Sequence, residues 1–152
     1  PSGVVISMQN VLNIKDVLDI IPSERYIPLL VDWTATTTGL HRVHVLRNAD
    51  MHIGVFDEKA KPLLPVVQSL LSCISNTVIE ENMLSFVASR FILSCCISSI
   101  IALTGYRLKI TMSHKQAQKI FAGIIAEMIE VFSAYNIMIT DYYKTFDYYK
   151  LV

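Results

Sequence analysis

Residues 91–103 read Phe-Ile-Leu-Ser-Cys-Cys-Ile-Ser-Ser-Ile-Ile-Ala-Leu, a run in which every side chain is apolar or small. A membrane-spanning helix needs about 20 mostly apolar residues, and this uninterrupted run is shorter. An apolar run of this length is more typical of the central helix of a globular α domain, because neighbouring helices cover all of its faces. We therefore expect a buried central helix over residues 81–103, and a membrane-associated helical protein is the less favoured alternative.

The composition of the chain restricts its function class. Hydrophobic residues make up 53% of the 152 residues and charged residues 17%, with a formal net charge of zero. Such a chain is too apolar to be intrinsically disordered, and it has no basic stripe that would favour nucleic-acid binding. Cys73, Cys95 and Cys96 lack CxxC and metal-ligand spacing, which predicts buried thiols, no metal, and a reducing, cytoplasmic compartment.

The first third of the chain has the texture of strands. Residues 4–7 predict a short buried strand. A chain that starts on a strand suggests a piece excised from a longer protein. Residues 13–21 predict a short helix that ends before Pro22. Residues 25–56 are β-branched and aromatic and then alternate apolar with polar positions, which predicts two or three antiparallel strands. The four histidines, His41, His44, His52 and His114, have no metal-ligand spacing and are interpreted as ordinary surface or strand residues.

From Pro62 onward the apolar period becomes helical. Residues 63–74 follow the three-four spacing of a helix, and residues 76–79 predict a short extended piece before the central helix. Residues 113–116 form a capping-box pattern that opens a further helix, with Asn136 as a left-handed cap near its end. The predicted fold class is mainly α with a small β portion: a strand remnant and a small antiparallel sheet in residues 1–57, then a helical bundle in residues 58–152.

Three stretches, residues 5–10, 24–36 and 90–105, resemble the ketopantoate reductase family (2-dehydropantoate 2-reductases) in their order and spacing. The first is similar to a strand that ends in Gln-Asn-Gly in that family. The second is similar to its hairpin region and continues into His52-Ile53-Gly54. The third is similar to its central helix, W-x-K-x-x-x-N-x-x-x-N-x-x-x-A-L-x-G. The resemblance covers residues 4 to about 136, and it implies a helical domain like the C-terminal domain of 6-phosphogluconate dehydrogenase.

The resemblance also implies an activity and a set of site residues. The family reduces the keto group of 2-dehydropantoate with NADPH, its central-helix Lys acts as the acid, and two Asn residues hold the substrate. Aligned on Ala102-Leu103-x-Gly105, Arg90 occupies the catalytic Lys position, and Ser94 and Ser98 occupy the substrate-binding Asn positions. Asn10 corresponds to a cofactor-binding position. Arg keeps the positive charge but is a poor general acid, because it is effectively never deprotonated.

Further departures separate the chain from a complete reductase. Val11 stands where the family has the Gly of Gln-Asn-Gly, and the five glycines of the chain form no G-x-G-x-x-G phosphate loop. We therefore expect a fragment of an NADPH-dependent 2-keto acid reductase. The chain supplies the helical substrate and dimer domain, acts in a homodimer, is inactive alone and binds no cofactor alone. The alternative is a catalytically degenerate relative that serves as a dimerisation or ligand-binding module.

Overall fold

A computed structural model describes residues 3–9 and 14–140 of the chain. Of these residues, 51% are helical and 21% lie in strands, so the predicted fold class, mainly α with a small β portion, is confirmed. The chain divides into two compact units, Pro1–Met83 and Leu84–Val152. The domain division predicted between residues 57 and 58 stays a prediction.

The described residues of the first unit form six strands and two short α-helices. The strands are β1 (Val5–Met8), β2 (Tyr26–Val31), β3 (Thr34–Gly39), β4 (Arg42–Arg47), β5 (Met51–Ile53) and β6 (Thr77–Ile79). The helices are α1 (Ile14–Leu18) and α2 (Leu64–Leu71), and 3-10 turns span Ser23–Arg25 and Glu58–Leu63. Four strands form a mixed sheet in the order β1-β2-β5-β6, in which β1–β2 and β5–β6 are parallel and β2–β5 is antiparallel.

The two or three strands predicted for residues 25–56 are antiparallel as expected, but their number and their membership of one sheet are wrong. That region contains four strands, of which β2 and β5 belong to the mixed sheet and β3 and β4 form a separate antiparallel hairpin. Tyr26–Val31 is buried at its first five positions, as expected of a strand with both faces covered, whereas every residue of the hairpin strands is exposed. Strands buried on both faces have continuous apolar sequences. Such a sequence does not indicate which distant strand pairs with it in parallel.

The core of the first unit lies between the sheet and α2. Leu64, Val67 and Leu71 recur at helical spacing on α2, and Pro65 stands in its first turn, where proline is tolerated. The strands contribute apolar side chains from β2 and β5, and the cluster comprises Ile27, Leu29, Met51, Ile53, Ala60, Leu64, Val67 and Leu71. Directly after β5, a Cβ on the buried Gly54 would lie 2.6 Å from the Cβ of Met83, so only glycine allows this approach.

The second unit contains the remaining helices: α3, which begins at the unit boundary, α4 and α5. They span Met83–Thr104, Leu108–Thr111 and Lys115–Ala134. Ile92, Cys96 and Ile100 form a buried row on α3, but its last turn is exposed, with Leu103 at 78%. Among the described residues, α3 is the one helix long and apolar enough to cross a membrane, a test that the core helix of a soluble protein also passes.

The two ends of α5 differ in how they are capped. The predicted capping box is wrong: His114 is the N-cap and its side chain makes no capping hydrogen bond. Ser113 lies one residue too early, and its hydroxyl donates instead to the carbonyl oxygen of Ile110 at 2.6 Å. Asn136, with φ of 57°, is the predicted left-handed cap, and the amide of Ile137 donates to the carbonyl of Phe132 at 2.9 Å beyond it.

The three cysteines do not share one environment. Cys96 is buried and Cys95 half-buried on α3, whereas Cys73, just after α2, is exposed. The prediction of three buried thiols is therefore wrong for Cys73, because the last turn of α2 lies at the surface and only its Val67 and Leu71 side reaches the core. Burial raises the pKa of the Cys95 thiol, and burial together with the neighbouring Cys95 raises the pKa of Cys96 to about 11.

Candidate functional site

The three site residues that the sequence analysis placed on the central helix all lie on α3. Arg90, Ser94 and Ser98 follow one another at steps of four along the helix. Each step rotates the side chain by only about 40° around the helix axis, so the three side chains form a row, called here the Arg90 row. Arg90 and Ser94 are half-buried and Ser98 is exposed. The row therefore runs from the packed part of α3 toward its exposed end, and the roles of the three residues stay predictions.

The predicted cofactor-binding residue, Asn10, lies outside the described residues, so its environment is not part of this site. Gln9, the residue before it, is half-buried at the end of the segment that carries β1. The assignment of Asn10 to cofactor binding rests on the family resemblance alone and stays a prediction.

An apolar cavity of about 480 Å³ lies in the second unit between α3, α4 and α5. Leu93 and Ile97 line it from α3, with Leu108 from α4, Met112 directly after α4 and Phe121 from α5. Leu93 and Ile97 stand within about 60° of Arg90 around the helix axis, so the cavity wall and the Arg90 row occupy neighbouring faces of α3. This volume suits a small apolar group.

A second constellation, not anticipated from the sequence, lies in the first unit. His52, in the middle of β5, stands between Asp32, which directly follows β2, and Glu80, which directly follows β6. The Nε2 atom of His52 is 3.1 Å from Oδ2 of Asp32, and its Nδ1 atom is 2.7 Å from Oε1 of Glu80. The side chains of His52, Asp32 and Glu80 are 11%, 0% and 24% exposed. The three residues form a compact, largely buried charge cluster, called here the His52 cluster.

Backbone hydrogen bonds fix the main chain at both acidic residues of the His52 cluster. The amide of Asp32 donates to the carbonyl of Asp50 at 3.1 Å, just before β5 begins. The amide of Glu80 donates to the carbonyl of Ile53 at 2.8 Å, at the end of β5. Since His52 pairs with Leu30 on one side and Val78 on the other, the sheet register brings both acids beside the imidazole.

The electrostatics of the cluster favour the protonated imidazole. Burial lowers the pKa of His52, but hydrogen bonds to Asp32 and Glu80 and the charges of both carboxylates outweigh burial and raise this pKa from 6.5 to about 9. With both ring nitrogens directed at carboxylates, the cation is a poor base and a poor metal ligand. Within residues 3–9 and 14–140, no group of three His, Cys, Asp or Glu side chains is arranged to hold a metal ion.

The four histidines, all predicted to be ordinary surface or strand residues, differ in their burial. His52 is buried, whereas His41, His44 and His114 are exposed. The signal was present, because a histidine between apolar neighbours in a short buried strand requires a partner. Its partner Glu80 is 28 residues away, and the sequence offered no means of choosing it among the other acids.

No known family profile and no curated protein matches the sequence, but solved structures match the fold. D-Mandelate dehydrogenase in a ternary structure with NADH and anilino(oxo)acetate has a TM-score of 0.82 at 15% identity, over 97% of this chain and 46% of that chain. The putative 2-dehydropantoate 2-reductase from Enterococcus faecalis has a TM-score of 0.63 at 15% identity, over 97% of this chain and 46% of that chain.

A third solved structure, the 2-dehydropantoate 2-reductase from Porphyromonas gingivalis W83, has a TM-score of 0.74 at 11% identity, over 93% of this chain and 50% of that chain. At these identities the likeness establishes a shared fold and no more. The chain spans about half the length of the solved structures that it matches.

Proposed function

We propose that the chain is the helical substrate-binding part of an NADPH-dependent oxidoreductase that reduces a 2-keto acid to a 2-hydroxy acid, in the manner of 2-dehydropantoate 2-reductase. The observation that carries the proposal is the fold match along 97% of the chain to D-mandelate dehydrogenase and to a putative 2-dehydropantoate 2-reductase. Both names denote enzymes that interconvert a 2-keto acid and a 2-hydroxy acid. Mandelate is a 2-hydroxy acid, and both anilino(oxo)acetate and 2-dehydropantoate carry a carbonyl group next to a carboxylate: an amide carbonyl in the first and a keto group in the second. The ordered sequence resemblance in residues 5–10, 24–36 and 90–105 supports the same assignment.

The sequence of this chain contains no G-x-G-x-x-G spacing of a dinucleotide-binding loop. A pyrophosphate-binding loop requires closely spaced glycines before a helix N-terminus, and Gly3, Gly39, Gly54, Gly105 and Gly123 are scattered singly. NADPH, where bound, supplies a hydride to the keto carbon. We assign its phosphate loop to a nucleotide-binding domain outside this chain, and expect no cofactor to bind this chain alone.

The chain's contribution is substrate recognition by the Arg90 row. The guanidinium of Arg90 carries a positive charge and offers a planar pair of N–H donors, which suits the carboxylate of a 2-keto acid. The hydroxyl of Ser94, one helical turn further on, can donate to the substrate's keto or hydroxyl oxygen. The neighbouring cavity, walled by Leu93 and Ile97, takes the apolar remainder of the substrate.

Arg90 does not supply the proton that reduction requires, because a guanidinium is effectively never deprotonated. In the proposed reaction this proton comes from another donor, and Arg90 acts by binding and orientation alone. The same substitution favours a second candidate function, in which the chain belongs to a catalytically degenerate relative that binds a ligand or dimerises. Serines at positions 94 and 98, in place of the longer Asn side chains, point in the same direction.

We further propose that the protein is cytoplasmic and forms a homodimer through its helical domain. Leu103, Ile110 and Ile120 are exposed on α3, α4 and α5, and exposed apolar side chains of this kind tend to be covered by a partner. Isologous two-fold dimers are the most frequent assembly of soluble proteins.

Kinetics of the full-length protein test the proposal. With NADPH and 2-dehydropantoate, Arg90→Ala should raise KM by about 10- to 100-fold, the loss expected for one charge-assisted carboxylate contact. Arg107→Ala is the matched control, because Arg107 is exposed between α3 and α4 and should leave KM unchanged. Arg90→Lys should keep the charge and add an acid, raising kcat. An unmodified protein that consumes no NADPH, together with an Arg90→Lys variant that also consumes none, supports the degenerate relative.

A further inference from the structure

We propose that the His52 cluster is a proton-operated clamp on the four-stranded sheet, holding the strand ends at Asp32 and Glu80 against β5 while His52 carries its proton and releasing them when the proton is lost. This inference concerns the stability of the first unit and does not depend on the proposed reductase function.

The geometry places one cation between two strand ends. Asp32 is the first residue after β2, and Glu80 is the first residue after β6, so the two carboxylates end the strands on either side of β5. His52 directs Nε2 at one carboxylate and Nδ1 at the other, at 3.1 and 2.7 Å. The hydrogen bond at Nδ1 and the ion pair at Nε2 exist together only when the imidazole is protonated, because only then is the ring both charged and able to donate from Nδ1 with Nε2 also carrying its proton. The bridge therefore exists in full only in the charged form.

The charges around His52 also favour its protonated form. The groups facing the imidazole are Asp32 from the end of β2 and Glu80 from the end of β6, and Arg47 at the end of β4 donates from Nη2 to the main-chain oxygen of Asp32 at 2.6 Å. With His52 protonated, two positive and two negative charges cancel. Without that proton these four groups together carry one excess negative charge, in a cluster where the side chain of Asp32 is fully buried. A net charge in a largely buried cluster is unfavourable.

The pH window follows from the direction of the shift. Because the pKa of His52 is raised above its ordinary value of 6.5 to about 9, the clamp contributes its full stability below about pH 6.5. Between these two values the unfolded chain releases the proton while the folded chain keeps it, so stability falls as pH rises. Above about pH 9 the contribution is gone. The unfolding equilibrium constant should rise by at most about 300-fold across the window, the factor that a shift of this size permits.

Urea unfolding of the chain between about pH 6 and about pH 10 tests the clamp. The unmodified chain should lose stability toward alkaline pH, and His52→Gln should flatten this dependence, because the neutral amide has no proton to lose. His44→Gln is the matched control: His44 is exposed on the β3–β4 hairpin, and the variant should retain the alkaline loss in full. Equal alkaline loss in the unmodified chain and His52→Gln would overturn the clamp.

A second variant and a direct measurement keep the test decisive if His52→Gln does not fold. Glu80→Gln removes one carboxylate at a partly exposed position and should shift the alkaline loss to lower pH, because the imidazolium is then less stabilised. The NMR titration of the His52 ring in the unmodified chain should show a protonated imidazole at about pH 7.5. A neutral His52 ring at that pH, or an unchanged alkaline midpoint in Glu80→Gln, would contradict the proposal.

Discussion

Replacing Gly54 with alanine should destabilise the chain, whereas the same substitution at Gly123 should stabilise it. A Cβ on Gly54 would lie 2.6 Å from the Cβ and 2.9 Å from the Cγ of Met83. The Cβ of Met83 is fixed by its backbone, so a rotamer change cannot relieve the contact, and Met83 itself is buried. At Gly123, in the exposed part of α5, a Cβ meets nothing within 4 Å.

The expected magnitudes have opposite signs. Overpacking of this kind costs about 1–3 kcal/mol, so Gly54→Ala should lower Tm by roughly 2–12 °C at the 2–4 °C per kcal/mol typical of a chain of this size. Gly123→Ala restricts the unfolded chain and adds helix propensity, which contributes about 0.5–1 kcal/mol of stability. The two variants add the same methyl group, so the sign of the effect reports the local geometry.

Thermal unfolding followed by circular dichroism, with urea titrations for the free energy of unfolding, measures both variants against the unmodified chain. If Gly54→Ala unfolds at the same temperature as the unmodified chain or higher, the close approach of β5 and Met83 is wrong. If Gly123→Ala lowers Tm, the exposed placement of that face of α5 is wrong.

Three further predictions follow from local geometry. Under native conditions a maleimide should label Cys73 rapidly and Cys96 only after unfolding, because Cys96 is buried with a thiol pKa raised to about 11; equal rates by mass spectrometry would refute its burial. Ser89→Ala should cost about 1–3 kcal/mol in urea titrations, because the buried Ser89 hydroxyl accepts from the Thr140 amide at 3.0 Å; a neutral effect would exclude that bond. Gly105→Ala should cost about 1–2 kcal/mol in the same assay, since φ of 68° suits glycine, and a gain would contradict the left-handed turn after α3.

Local and periodic features of the fold were accessible from the sequence. The apolar run of residues 91–103 indicated α3, and Asn136 indicated the cap at the end of α5. These features depend on residues within one or two helical turns of each other, so a short stretch of sequence is enough to predict them. The row of Arg90, Ser94 and Ser98 is accessible for the same reason, once the helix is known.

The features that sequence reasoning missed depend on distant partners. Val5–Met8 and Thr77–Ile79 were each recognised as extended, but their places at opposite edges of one sheet depend on pairing with β2 and β5. The His52 cluster is missed for the same reason, because its members come together only when β2, β5 and β6 are in register. The capping box predicted at Ser113 is wrong for a different reason. Its hydroxyl could have accepted from a main-chain amide at the start of α5, but it donates to the carbonyl of Ile110 instead.

The measurement that tests the central claim most directly is turnover by the full-length protein with NADPH and a series of 2-keto acids, with the product identified by chromatography. The proposed function predicts that one 2-hydroxy acid forms for each NADPH consumed, and that 2-keto acids with an apolar remainder are preferred over oxaloacetate, which carries a second carboxylate that the apolar cavity disfavours. A protein that binds NADPH and a 2-keto acid but forms no 2-hydroxy acid, or one that binds neither, would contradict the assignment as a reductase.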